Sequence, residues 1–525
     1  MTETFNYRKP AHLSILIATT LLLLSIPLTV YLITYPKEVS IKALASGVTH
    51  YVACGDSLDS ANSAVASSDS LLFQRGCQNP WTGTLSLPKS GMYVGAYGSG
   101  ELPIIQSSDK YGAEAEITGS NITIENIWVQ ASPVDFQPNG ICAGNPIDWT
   151  SGFRLYGNNI TIKNSKATAN YAGVYIKPGS TNNKIFSNTL LNNTMHVNTS
   201  PTAGAFGVLV WGDNNEIAYN QISGSDACDP TTAPSYRDGS AVEIYGGQNN
   251  YIHHNRADNN AAFSELGNSR SANNTYAYNL VTSSLQYSLF LNTRGANDPF
   301  GPVSSTKAYN NTVYLTGANS QGAVCYSVCS SSILSLKNNI LWVNWKAAYA
   351  DGPFDESNNI YWSTNGKPFI QDTTKWTIAA SSVKIDPQFV STGGDFHLKS
   401  TSPAVNSGMS LGYTTDFDVN PVPKGGFPDV GAFEYQTPSS GAGLLIRSTG
   451  KGGMTNNSSK NPSTQASAKG STKSASASAS KSATKKPPVF SFYQKLAAGL
   501  LIILLSVAIG VSVFYYLRRR KARKD

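Results

Sequence analysis

Between positions 157 and 345 the chain repeats one phrase of polar and apolar positions. A pair of Asn is followed by a short run in which β-branched or aromatic residues alternate with polar ones, then by another Asn. Asn158-Asn159-Ile160-Thr161-Ile162-Lys163-Asn164 is one copy. Asn182 to Asn188, Asn214 to Asn220, Asn249 to Asn255 and Asn273 to Asn279 repeat it, and weaker copies end at Asn126, Asn310 and Asn338. The closing Asn residues are separated by 38, 24, 32, 35, 24, 31 and 28 positions, a unit of 24 that often carries an insertion.

Alternation with period two places one set of side chains inward and the other outward. A repeat in the twenties made of such short strands is the mark of a solenoid. One coil cannot bury its inward face alone, so successive coils stack and make the core continuous. Asn suits the corners because it tolerates the left-handed backbone region and bonds its neighbours. Stacked on successive coils, these Asn side chains can also bond one another. The pattern predicts an all-β chain, a parallel β-helix solenoid over 84–384, with 46–83 as its N-terminal cap. Val174, Val208, Val242 and Ile217 are predicted to point inward.

The ends of the chain read differently. Arg8 and Lys9 precede an uncharged run from Leu13 to Tyr35, long enough to span a bilayer. It reads either as a retained anchor or as a signal peptide cut after Ala43-Leu44-Ala45, so that residues 1–45 direct export. Leu496 to Leu517 is a second uncharged run, followed by the basic tail Arg518-Arg519-Arg520-Lys521. This predicts a transmembrane helix within 489–517 and a cytoplasmic tail at 518–525. Residues 436–488 hold eight basic residues and no acidic one in a background of Ser, Ala, Thr and Gly, the composition of a disordered spacer. As a coil its ends would lie roughly 40 Å apart, and fully extended it would reach about 180 Å. The expected arrangement is a body outside the cell, anchored in the cell membrane at its C-terminal end.

The formal charge of +7 hides an asymmetry. Residues 46–435 carry 20 basic and 29 acidic side chains, so the body is acidic and nucleic acid is excluded as its partner. All six cysteines lie in the exported part. Their even number suggests disulfides, and local order pairs Cys54 with Cys77 and Cys325 with Cys329, leaving Cys142 for Cys228.

Two stretches resemble known families. Ser70-Leu71-Leu72-Phe73-Gln74-Arg75-Gly76, Trp81-Thr82-Gly83-Thr84-Leu85, Ala96-Tyr97-Gly98-Ser99-Gly100 and Pro103-Ile104-Ile105 look like the opening of right-handed β-helix proteins of the pectate-lyase-like superfamily. With the Asn repeats, this resemblance covers roughly 50 to 395. It implies a right-handed solenoid in a bacterial surface protein. Residues 385–435 resemble a choice-of-anchor Q module, on Ile385-Asp386-Pro387-Gln388-Phe389-Val390, Ser402-Pro403-Ala404-Val405-Asn406-Ser407-Gly408 and Pro428-Asp429-Val430-Gly431-Ala432-Phe433-Glu434-Tyr435. Pro423-Lys424 stands where that pattern has Arg. In that family the module closes a β-helix and precedes a surface anchor.

Candidate chemistry sits on the strands before the Asn pairs. Gly173 to Lys177, Gly207 to Trp211 and Ala241 to Tyr245 align without gaps. With Val and Ile inward, Tyr175, Leu209 and Glu243 form one outward row, and Lys177, Trp211 and Tyr245 the next. An outward Trp beside an outward Tyr, flanked by Lys, offers a face for sugar rings. The plainer reading is an outer face covered by the insertions at 189–204 and 224–239. Glu265 follows Glu243 by 22 residues, close to one uninterrupted coil, which would set two carboxylates about 5 Å apart. That separation suits a retaining glycoside hydrolase and equally a calcium ion. The plainer alternative is a solvated charge row. Arg294 follows, with Arg237, Asp238 and Arg270 in nearby loops. By resemblance, β-helix polysaccharide lyases use an Arg or Lys base with carboxylate neutralisation, often through calcium. The expected partner is a polysaccharide or cell-envelope glycan, bound and processed by a lyase or a hydrolase. The alternative is a non-catalytic glycan-binding adhesin or a structural stalk. His253 and His254, adjacent in a predicted strand, are expected on opposite faces.

Overall fold

Each Asn-bounded phrase contributes one strand to each of three parallel sheets. The computed structural model describes residues 45–107, 109, 111–132, 150–194, 196–197, 203–228 and 237–436; for 196–197, 203, 228 and 237 it describes the backbone alone. One coil runs Ser151–Leu155, Thr161–Lys163, Lys166–Thr168, and the next strand, Ala172–Ile176, returns to pair with Ser151–Leu155. Repetition of this path gives a 12-stranded sheet and two 11-stranded sheets. They are called here the first sheet (through Thr161–Lys163), the second (through Lys166–Thr168) and the third (through Ser151–Leu155). Val174, Val208, Val242 and Ile217 are fully buried in one continuous core, as the alternation predicts.

The corners explain the Asn. Asn159, Asn182, Asn214, Asn249 and Asn273 all take the left-handed conformation, with φ of 55 to 58°. At the next corner that conformation belongs to Asn164, Ser187, Tyr219, His254, Tyr278, Asn310 and Asn338. The residue after this corner turns inward, and there an Asn ladder runs along the solenoid. Asn188, Asn220, Asn255, Asn279, Asn311 and Asn339 each donate Nδ2 to the Oδ1 of the next, ending on Asn359, at 2.9 to 3.1 Å. A second ladder links Asn183, Asn215, Asn250 and Asn274 at 2.9 to 3.0 Å. Asn310 and Asn338, aligned in the sequence with Asn279 and Asn255, are corner residues instead. Their ladder positions are Asn311 and Asn339, because an Asn doublet spans both roles.

The strands Thr49–Val52 and Ser70–Gln74 already belong to the first sheet. The short helix Leu58–Ala64, N-capped by Ser57, covers the open end with Leu58 and Ala61. Near the far end, Trp376 packs on Phe354. Residues 385–436 lie along the side of the coils: Phe389, Phe396, Leu398, Val430 and Phe433 cover Leu280, Ile340, Trp342 and Ile360 on the second sheet. Gly431 N donates to Asn338 O at 2.7 Å, and Ala432 N to Thr312 Oγ1 at 2.9 Å.

Three expectations need correction or fall outside these residues. His253 and His254 do not point to opposite faces. The strand ends at His253 and His254 turns left-handed at the corner, so their Nδ1 atoms meet at 2.8 Å and both rings are buried. Disulfides join Cys54 to Cys77 and Cys325 to Cys329, while the pairing of Cys142 with Cys228 lies outside the described residues. Both long apolar runs, the spacer and the basic tail also lie outside them. Among the described residues no helix is long and apolar enough to cross a membrane.

One pH-dependent contact anchors the side-packed segment. His397 lies between Asp418 (Nε2 to Oδ2, 2.6 Å) and Asp395 (Nδ1 to Oδ1, 2.5 Å). The bond to Asp418, with that to Asp395 behind it, pushes its pKa up to about 9. A His whose folded pKa is raised contributes stability that is complete below its unfolded value, about 6.5, and is lost as pH rises through the folded one. The melting temperature is therefore expected to fall between about pH 6.5 and pH 9, by an amount limited by solvent screening of this half-exposed group. His397→Gln should remove that slope; an unchanged slope in the variant overturns the assignment.

Candidate functional site

The outward side of the third sheet gathers the chemistry. Tyr175 pairs with Leu209, and Leu209 with Glu243. Ser240 pairs with Ala262 and Ile244 with Leu266, which sets Glu243 opposite Glu265 on the next strand. Adjacent strands lie about 4.8 Å apart, so the two carboxyl groups are near neighbours on one face. Glu265 in turn pairs with Asn292, Asn292 with Val324, and Val324 with Tyr349. The 22-residue spacing thus corresponds to one full coil.

Glu243 is half-buried and accepts a hydrogen bond from Ser240 Oγ at 2.7 Å. Burial, and after it the charge of Glu265, push its carboxyl well above the usual carboxylate range. Glu265 Oε2 is held at 3.0 Å by Arg294 Nη2. Arg294 also donates through Nη1 to the Tyr326 hydroxyl, and its guanidinium lies 5.5 Å from that ring. Oriented with its amide oxygen toward Arg294, Asn292 accepts from Nη1 at 2.9 Å and Nη2 at 3.2 Å, which avoids opposing two donors. Two carboxyls in contrasting surroundings, one buried and one ion-paired, are the usual arrangement for acid–base division of labour.

Beside Glu265 opens a cleft of about 500 Å³, lined among others by Asp238, Tyr287, Asn292, Gln321 and Tyr326. Glu243 stands next to it, on the strand beyond Glu265, rather than in its wall. The hairpin Ala227–Cys228 with Arg237–Asp238 rises immediately before Ser240, and brings Asp238 to the cleft. The Arg237 side chain lies outside the described residues. Arg270 is engaged elsewhere, with Asp213 at 2.5 Å.

The aromatic row is not the open platform that the sequence suggests. Tyr175 and Leu209 are 7% and 3% exposed and pack outside the coils with Tyr171 and Phe206. Trp211 packs against this cluster with its indole N–H buried and, among the described residues, without a partner. Tyr245 lies 5.0 Å from Trp211, tilted by 47°, as expected for adjacent coils. Its ring rests on Gly267, where a Cβ would come within 2.9 Å, so glycine is needed there to admit it. Lys177 Nζ sits 4.2 Å from the Tyr175 ring centroid, not at an open groove. The outward row is apolar enough to attract its own cover, a fate that alternation cannot reveal.

Ser240, Asn292 and Tyr326 escaped sequence reasoning. Asn292 and Tyr326 could have been found by carrying the Glu265 and Arg294 registers one strand further. Arg294 supplies positive charge at Glu265, where the spacing of the two carboxylates equally suited a calcium ion. Among the described residues no group of three or more His, Cys, Asp or Glu is arranged to hold a metal ion.

No family model and no curated protein matches the sequence. Among solved structures the chain is similar to pectate lyase Pel9A, at 17% identity and a TM-score of 0.46, over 75% of this chain and 98% of that one. It is also similar to an alginate lyase from Paenibacillus sp. str. FPU-7, at 13% identity and a TM-score of 0.38, over 53% and 93%. A third likeness is the tailspike protein of E. coli bacteriophage HK620 in complex with pentasaccharide, at 12% and 0.36, over 60% and 59%. At these values the likenesses carry no argument about activity, which has to come from the site.

Proposed function

We propose that this chain is a cell-surface glycan-processing protein that hydrolyses a glycosidic bond with Glu243 as general acid and Glu265 as its partner carboxylate. The observation that carries this reading is the register of Glu243 against Glu265. It sets them near the separation of about 5 Å used by retaining glycoside hydrolases. Glu243, whose carboxyl burial and then the charge of Glu265 shift toward its protonated form, gives its proton to the leaving oxygen as the glycosidic C–O bond breaks. Glu265, with Oε2 fixed by Arg294, offers Oε1 to the anomeric carbon. Water then adds its oxygen to that carbon as the bond from the carbon to Glu265 Oε1 breaks, and returns one proton to Glu243. One water is consumed and two hydroxyls are formed.

A lyase reading is disfavoured because Arg294, the cation beside the pair among the described residues, is already bound to Glu265 and Tyr326 and is not a free base. The test is a panel of neutral and acidic oligosaccharides, with new reducing ends and unsaturated products (by their ultraviolet absorbance) measured in parallel. New reducing ends without unsaturation support hydrolysis. Unsaturation replaces it by elimination, and retention without turnover leaves a glycan-binding adhesin.

The surface location rests on the apolar run Leu496 to Leu517 with its basic tail, and on the resemblance of residues 385–435 to an anchor-associated module. Protease added to intact cells is expected to remove the body and spare the tail. Loss of the tail with the body retained overturns that topology.

A further inference from the structure

The third sheet's outer face is closed on one side of the carboxylates and open on the other. Toward the N-terminal coils, the positions in line with Glu243 are Leu209, Tyr175 and Arg154, which are 3%, 7% and 9% exposed. Phe206, in line with Ser240, is 5% exposed, and Tyr171 beside it 2%. None of these positions lines the cleft.

Toward the C-terminal coils the same row continues through Asn292 and Val324, 8% and 6% exposed but in the wall of the cleft, which opens beside more accessible side chains. Gln321, in its wall, pairs with Lys346, and Lys346 with Phe369, which is 48% exposed. Val324, also in the wall, pairs with Tyr349, and Tyr349 with Gln371. Tyr326 and Tyr349 lie 6.3 Å apart. Exposed Tyr287 stands at the rim, and Lys346 Nζ rests 4.0 Å from the ring of exposed Trp345. This side offers faces for sugar rings with hydrogen-bonding groups between them.

From this asymmetry we infer that the site takes the end of a glycan chain rather than its middle, the remaining chain leaving over Gln321, Tyr349 and Phe369. The inference rests on the hydrolase reading for the position of the scissile bond, which lies at Glu243 and Glu265. Beyond them, on the closed side, only a terminal unit fits before Leu209 and Phe206. On the open side several units can follow, one coil after another. A cleft of about 500 Å³ agrees with a bound oligosaccharide end. The residues that set this mode are Phe206 and Leu209 as the stop, and Tyr349 and Phe369 as the track.

The experiment uses the full chain carrying Glu265→Gln and measures binding by calorimetry, so that it does not depend on turnover. The probes are hexasaccharides of glucose, xylose, mannose and galacturonate. Each is offered uncapped, capped at the reducing end with 2-aminobenzamide, or capped at the other end with a benzylidene acetal. For any hexasaccharide that binds, one of the two caps is expected to weaken binding at least about tenfold and the other by less than about twofold. Tyr349→Ala and Phe369→Ala should weaken the hexasaccharide, by roughly tenfold or more for a central stacking residue, and leave the disaccharide unaffected. Equal tolerance of both caps, equal loss with both, or aromatic variants that affect the disaccharide as much as the hexasaccharide overturn chain-end binding while leaving the glycan reading intact. No binding by any uncapped probe overturns both.

Discussion

Glu243→Gln is expected to lower kcat on a glycan substrate by about 10²–10⁴-fold while leaving substrate binding nearly unchanged. That is the range lost when a positioned general acid is removed. Gln keeps the shape of Glu243 and can still meet Ser240 Oγ, but has no proton to give. Glu265→Gln should cost as much or more, since it removes the charge that faces the anomeric carbon and unpairs Arg294. The two losses should not add, because the carboxyls act as one unit. The pH profile supplies the sign. Glu243 must be protonated, and its pKa is raised by burial and by Glu265, so activity should persist above the ordinary carboxylate range and fall as pH rises through the raised value. Ser240→Ala removes a hydrogen bond that favours the charged form, and should move this alkaline limb to higher pH. Full activity in Glu243→Gln, or an alkaline limb unmoved by Ser240→Ala, removes Glu243 from the role.

The largest expected effect on stability lies in the Asn ladder. Asn255 Oδ1 accepts from Asn220 N at 3.0 Å and Asn220 Nδ2 at 2.9 Å, and its Nδ2 donates to Ile217 O at 2.8 Å and Asn279 Oδ1 at 3.1 Å. It is 0% exposed, so water cannot replace these partners in place. Asn255→Ala leaves Asn220 N without its acceptor and Ile217 O without this donor. At about 1–3 kcal/mol for each orphaned buried group, the loss should be about 2–5 kcal/mol. Asn214→Gly is the control: this Asn is needed at its corner for φ of 58°, which glycine adopts freely. Thermal melts of both variants decide the matter. Asn255→Ala should melt far below Asn214→Gly; equal melting would mean that the ladder is decoration on coils held by their valine rows alone.

Both of these sites follow from the repeat. The Asn residues are legible because each corner and ladder position recurs once per coil, and periodicity needs no knowledge of distant contacts. The same holds for Val174, Val208 and Val242, and for the meeting of Glu243 with Glu265, which one coil length places side by side. Where the local pattern is ambiguous, periodicity does not settle the position. In the doublets that begin at Asn310 and Asn338 the corner comes first and the ladder residue second, and His254 turns the corner that ends the strand at His253.

Which side chains face in and which face out can be read along a single strand, since alternation is a property of the backbone. Which outward positions stay open is set by packing between coils. Tyr175, Leu209 and Trp211 point outward as expected yet are buried or half-buried, because the packing of one coil beside the next, through Tyr171 and Phe206, covers them. In the same way, residues 385–436 cover the second sheet through Phe389, Phe396 and Phe433, and leave the third sheet to the cleft. Whether a face is a wall, a seat for another segment or a groove depends on where those segments fall, and that is fixed by packing across the whole solenoid, not by the period of any one strand.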